Sequence, residues 1–280
     1  MAIRSVLLPL YGSDEELSAL RYACGLAELF GARIICLHAR PDLADSLDYG
    51  CPALPPCAVA GFFDTMNEEN EQQLKKAKAL FDETIRQHEA PAIWEEHTGS
   101  PDKLIAKFGK ASDVIVFDRS ISKRHGHYQN VIQASLLETG KPVIIIPSNH
   151  SISPGRGLVD RVSVAWDGGA RVVHAVAMAL PLLSIAQSVS ILTVGRSKAN
   201  SSSVRELMSY LETHRINASK VELESGVCSI GESLMEGAVN RNTDLLVMGA
   251  FAHHRVRQMI IGGATSFMLD NASLPVFMMH

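Results

Sequence analysis

Short apolar runs recur along the chain, each followed by a longer stretch whose apolar residues return at helical spacing. Runs such as Val114-Ile115-Val116, Val143-Ile144-Ile145-Ile146 and Leu245-Leu246-Val247 lack alternating polar positions. That pattern suits strands buried on both faces, as in a parallel sheet covered by helices. The second half predicts strands over Arg161–Trp166, Val189–Val194, Val221–Glu224, Asp244–Met248 and Pro275–Met279. Helices are predicted between them, over Val172–Ser184, Ser202–His214, Ser229–Arg241 and Gly263–Asn271. Strict strand–helix alternation argues for a doubly wound α/β fold. Right-handed crossovers then set the strand ends along one crevice.

The first half repeats the second. An offset of 156 lays Val6-Leu7-Leu8-Pro9-Leu10-Tyr11-Gly12-Ser13 on Val162-Ser163-Val164-Ala165-Trp166-Asp167-Gly168-Gly169. Further on, an offset of 131 pairs Asp113-Val114-Ile115-Val116 with Asp244-Leu245-Leu246-Val247. Repeats of this kind define the architecture before any single motif does. The first half differs by an insertion: Arg40–Thr65, rich in proline and small residues, reads as a long surface loop, and Glu68–Gln87 as a charged amphipathic helix. Residues 148–157, Ser-Asn-His-Ser-Ile-Ser-Pro-Gly-Arg-Gly, read as the linker between halves.

Composition narrows the classes. A chain of 280 residues suits two domains, and a net charge of −4 supplies no general field for nucleic acid. The longest candidate for a membrane span, Ala175–Leu183, falls well short of the roughly 20 apolar residues a span needs and contains Pro181. Met1-Ala2-Ile3-Arg4 runs straight into a strand-like segment, which makes the cytoplasm the expected compartment. The five cysteines have no framework spacing; Cys24 and Cys36 read as buried thiols. Cys51 and Cys57 lie in the proline-rich loop with no partner motif for metal or redox work.

Candidate chemistry belongs at the carboxyl ends of strands, where strand order reverses. Two segments of the second half meet there: Trp166-Asp167-Gly168-Gly169 and the loop from Met248 to Thr265. Gly249 directly follows a strand, where a missing Cβ admits backbone or ligand. Gly262-Gly263 opens a helix whose amides and dipole favour an anion such as phosphate. Thr265 adds a hydroxyl, and Arg255 or Arg257 a positive charge. Equally, the glycines suit a simple turn and close helix–sheet packing.

At these residues the chain resembles the universal stress protein family in its tandem two-domain form. The family's phosphate loop reads G-x2-G-x9-G-[S/T]; here Gly249, Ala252 and Gly262 take the three glycine positions and Gly263 the last. Gly262-Gly263-Ala264-Thr265 is similar to a Gly-Gly-Val-Thr ending of tandem members, and Asp167-Gly168 matches the family's nucleoside contact. The resemblance implies two flavodoxin-like domains of the adenine nucleotide alpha hydrolase type, each a five-stranded parallel sheet flanked by helices, over residues 1–148 and 158–280. It implies a stress-response regulator binding ATP or a related adenine nucleotide, with or without magnesium, in its second half. Asp167 would face the adenosine and Val194 would line the base; Gly249, Ala252, Arg255, Gly262, Gly263, Ala264 and Thr265 would surround the phosphates.

In the first half Tyr11 replaces the aspartate, Asp118 stands where Gly249 does, and Gln129-Asn130 replace the glycine pair. A carboxylate facing a polyphosphate is repelled, so this half reads as a degenerate partner domain. No Walker lysine and no nucleophile–base pair marks a catalyst. His125-Gly126-His127 and His253-His254 lack the spacing of a metal site. A non-nucleotide adaptor of the same fold and a phosphate-cleaving enzyme are the other readings. The apolar last strands, Val143–Ile146 and Val276–Met279, are expected at sheet edges, pairing the halves as a pseudo-dimer and two chains as a homodimer.

Overall fold

A computed structural model of the chain describes residues 2–42, 56–123, 130–151, 155–195, 198–224, 228–251 and 263–280. Two compact units emerge, one over residues 3–141 and the other over 142–280 together with residues 1–2.

The first unit runs β1 (Ser5–Pro9), α1 (Leu17–Phe30), β2 (Arg33–Arg40), α2 (Pro56–Ile85), β3 (Ala92–Thr98), α3 (Pro101–Gly109), β4 (Val114–Asp118) and α4 (Val131–Glu138). Its strands lie in the order β3-β2-β1-β4, all parallel. Every residue of β1 and β4 is buried, as their unbroken apolar sequences require. The second unit runs β5 (Val143–Ile146), β6 (Arg161–Ala165), α5 (Ala170–Leu183), β7 (Ser188–Val194), α6 (Lys198–Thr213), β8 (Ala218–Leu223), α7 (Ile230–Val239), β9 (Leu245–Gly249), α8 (Gly263–Asn271) and β10 (Val276–Met279). Its order is β5-β10-β9-β6-β7-β8. The α/β class and the mostly parallel sheet are as the sequence predicts.

One expectation is corrected. The proline-rich insertion is not loop to Thr65: α2 begins at Pro56 and runs to Ile85. Proline is well placed to start a helix, because its ring presets φ and its missing N–H has no partner in the first turn. The last strands β5 and β10 pair with each other, antiparallel, Phe277 opposite Ile144, as their apolar edges led us to expect. The apolar row of β10 is thereby covered by β5. Cys51 lies outside the described residues, and so does the side chain of Cys57.

The repeat is written into the hydrogen bonds. Asp113 donates its amide to Ser5 O at 2.9 Å, and Asp244 donates its amide to Arg161 O at 2.7 Å. Asp113 Oδ2 accepts from Arg4 N and Ser5 N, as Asp244 Oδ2 accepts from Arg161 N. Each aspartate therefore pins the start of its unit's central strand from the strand beside it. No helix of the described residues is long and apolar enough to cross a membrane.

Candidate functional site

β6 has β7 on one side and β9 on the other, so strand order reverses at the carboxyl ends of β6 and β9. After β6 the chain turns through Trp166-Asp167-Gly168-Gly169 into α5. Trp166 is buried and donates its indole N–H to Ser203 Oγ of α6 at 3.1 Å. Asp167 is exposed, and its Oδ1 accepts the Gly169 amide at 2.8 Å, a turn that aspartate forms with the residue two ahead. Gly168 sits at φ +76°, a left-handed backbone, with Ser203 Oγ 3.4 Å from where a Cβ would stand.

After β9 the glycine has a structural reason. A Cβ on Gly249 would lie 2.8 Å from both Arg171 Cβ and Val172 N, so its absence lets the first turn of α5 close onto β9. Ala250 then donates to Met279 O at 2.8 Å. Phe251 adopts φ +57°, rare for an aromatic side chain, and its amide donates to Thr265 Oγ1 at 3.2 Å. Thr265 is buried in the first turn of α8, so its hydroxyl ties the exit of β9 to that helix. Gly263 is exposed, with none of the described residues within 4 Å of where a Cβ would be, and Ala264 is half-buried. Val194 ends β7 half-buried, next to Gly195, whose amide donates to Leu223 O at 3.0 Å.

The turn of Asp167, Gly249 and Thr265 are thereby linked through α5 and Phe251, with Val194 on the neighbouring strand. Ala252, Arg255, Gly262 and the residues Arg257, His253 and His254 lie outside the described residues. An adenine nucleotide fits what is present. The open start of α8 suits an anion, the exposed Asp167 carboxylate suits ribose hydroxyls, and Val194 offers an apolar wall. The sequence did not single out Arg171, Phe251 or Ser203. A question the sequence could have answered is which cation the helix after Asp167 carries in its first turn; the left-handed backbone of Phe251 leaves no sequence signal.

At the equivalent place in the first unit the turn amides are bound by a side chain of the same unit. Glu16, 4 % exposed, accepts from the amides of Tyr11, Gly12 and Ser13, at 3.0 to 3.1 Å. Gly12 has φ +84°, and its Cβ would stand 2.3 Å from the Gln73 carbonyl oxygen of α2. Asp118 is buried with Oδ1 accepting the Ser120 amide at 2.7 Å. Asn130 stands at the N-cap position of α4 with no side-chain capping bond; Gln129, His125 and His127 lie outside the described residues. Among the described residues no three His, Cys, Asp or Glu side chains converge as a metal site would need.

Residues 160–280 match the model of the universal stress protein family. A universal stress protein of Synechocystis sp. is 23 % identical over 98 % of this chain and 99 % of that one. The solved structure of a universal stress protein from Archaeoglobus fulgidus is 19 % identical, with a TM-score of 0.69 over 98 % of this chain and 97 % of that one. Another, from Pseudomonas aeruginosa, gives a TM-score of 0.58 at 12 % identity, over 99 % of this chain and 93 % of that one. These structures share the fold of the chain over nearly its full length.

Proposed function

We propose, on the premise that the chain belongs to the universal stress protein family, that its second unit binds ATP or a related adenine nucleotide and that the protein acts as a regulator rather than a catalyst. One observation carries this reading. The exposed carboxylate of Asp167 and the open start of α8 belong to one tied assembly at the strand reversal, joined by the contact of Gly249 with α5 and by the hydrogen bond of Phe251 to Thr265. In this reading Gly263 and the preceding loop, with Gly262 and Arg255, take the phosphates, Asp167 the ribose, and Val194 the base. The first unit, its turn filled by Glu16, takes none.

The adaptor reading draws on a specific observation as well. Gly249 is explained by its packing on α5, and Thr265 by the Phe251 amide, so neither requires a ligand. Thermal scans separate the two. A nucleotide at 100 times its Kd that binds only the folded state stabilises by about 2.7 kcal/mol. For a unit of this size that is roughly 5–11 °C. The shift is expected with ATP and not with GTP, at matched magnesium. An equal response to both, or none at millimolar ATP, overturns the nucleotide reading in favour of the adaptor.

A further inference from the structure

We infer that Arg171, which no phosphate-loop motif contains, is the cation that meets the nucleotide's phosphates; the inference rests on the nucleotide reading of the second unit. Arg171 stands in the first turn of α5, four residues beyond Asp167, and its Cβ is one of the atoms that would collide with a side chain at Gly249. The residue is therefore rooted at the strand reversal itself. Its direction is set by a second element. Arg171 Nε donates to His280 Nδ1 at 3.2 Å, and His280 follows β10. The same ring nitrogen lies 3.3 Å from Ala250 O, and the imidazole meets the Phe251 ring edge-on at 6.2 Å between centroids.

The guanidinium is thus held at His280 beyond the end of β10, and His280 in turn stands against the Ala250–Phe251 corner beyond β9. Phe251 in turn is bonded to Thr265 at the start of α8. Arg171 is joined to the first turn of α8 through two residues, His280 and Phe251, in one hydrogen-bonded and stacked cluster. Guanidinium has a fork of donors matched to phosphate oxygens, and a hydrogen bond at Nε fixes the plane in which the fork lies. His280 is then a positioning residue: it holds the arginine without touching the ligand.

A structural strut would support every ligand equally, whereas a phosphate contact distinguishes ligands by their phosphates. Full-length wild type, Arg171→Gln, Arg171→Lys and His280→Ala are titrated calorimetrically with ATP and with adenosine, and each is melted without ligand. Arg171→Gln, which keeps a polar side chain but loses the charge, is expected to weaken ATP about tenfold or more and adenosine less than twofold, the size of one lost charge-assisted contact. Arg171→Lys, which keeps the charge but loses the fork and the bond to His280, is expected to bind ATP more weakly than wild type and more tightly than Arg171→Gln, which also covers the case in which Arg171→Gln folds poorly. His280→Ala weakens ATP several-fold, again sparing adenosine. Equal losses for ATP and adenosine, or unchanged ATP binding by Arg171→Gln, overturn the inference while leaving the nucleotide reading in place. A wild type that binds neither ligand overturns both.

Discussion

Glu16 is the side chain whose removal should separate the two units most clearly. Its carboxylate lies 4 % exposed and accepts from three consecutive amides, those of Tyr11, Gly12 and Ser13. Its bond to the Ser13 amide is also one half of the capping box that opens the single 3-10 turn Asp14–Glu16 ahead of α1. Hydrogen bonds to a charged acceptor contribute about 1.5–3 kcal/mol each, but they share one group and do not add. In Glu16→Ala, water reaches the half-exposed amides of Gly12 and Ser13, while the buried amide of Tyr11 is left without its acceptor. An orphaned buried donor costs roughly 1–3 kcal/mol, and loss of the capping box adds about 1 kcal/mol. The expected total is about 2–4 kcal/mol, or roughly 6–12 °C in the melting of the first unit.

The assay is differential scanning of wild type, Glu16→Ala, Glu16→Gln and Glu15→Ala, with and without inorganic phosphate. Glu16→Gln should lose most of the same stability, because its NH2 group turns a donor toward donors. The exposed Glu15 should shift melting by less than about 0.5 kcal/mol. Phosphate should restore part of the loss in Glu16→Ala, since three convergent amides at a helix start hold an anion. A Glu16→Ala protein that melts within about 2 °C of wild type refutes the reasoning, since even the low end of the estimate exceeds that shift.

Two more consequences concern buried titratable groups. Burial pushes the His38 imidazole below its ordinary 6.5, against the opposing hydrogen bond to Leu10 O and the nearby Glu96, with Arg40 also lowering it. The unfolded chain therefore takes up this proton first, so His38 contributes fully above about pH 6.5 and loses stability as the pH falls below it. Melting between pH 7 and pH 5 should fall less steeply in His38→Gln; parallel curves for the two proteins refute the assignment. Burial drives the Cys24 thiol up to about 12 and also pushes that of Cys36 well above its ordinary range. With Cys51, Cys57 and Cys228 changed to serine, the native protein should show no rapid thiol labelling at pH 8 until it is unfolded. A labelling burst from the native state contradicts the burial.

How much of this was legible depends on whether the cause was local. The helix over Gly263–Asn271 was read to the residue, because an apolar strand, a glycine pair and helical spacing are all consecutive. The equivalence of Asp113 and Asp244 was legible as a repeat, although their role in pinning β1 and β6 was not. Helix α2 was misjudged at its start because Pro-Pro reads as loop, and the apolar residues behind Pro56 were given no helical weight. Within the site, the motif drew attention to glycines and away from what surrounds them. Gly249 is dictated by Arg171 and Val172, residues that stand almost eighty positions earlier, and that kind of contact leaves no periodicity.

The contrast between the units comes down to one equivalent position. Under the offset of 156, Gly12 falls on Gly168, and both keep a left-handed backbone, at φ +84° and +76°. The turn geometry is therefore common to the two, and it follows β1 and β6 in the same sheet position. Glu16, however, falls on Val172. In the first unit that residue carries the anion that its own backbone binds. In the second, Val172 is buried, brings no charge, and lends its backbone to the close contact with Gly249. The second helices differ in the same sense. In the first unit the Gln73 carbonyl lies so near Gly12 that even a Cβ would collide with it, whereas among the described residues the neighbour of Gly168 is the small Ser203 side chain. The same fold thus closes one turn with a carboxylate and a helix backbone and leaves the other lined by Asp167, a serine and an arginine. Under the proposed nucleotide reading, a ligand with several negative charges is repelled by Glu16 and Asp118 in one unit and drawn toward Arg171 in the other, so calorimetric titration of the full chain with ATP should count one site, and two sites would refute this contrast.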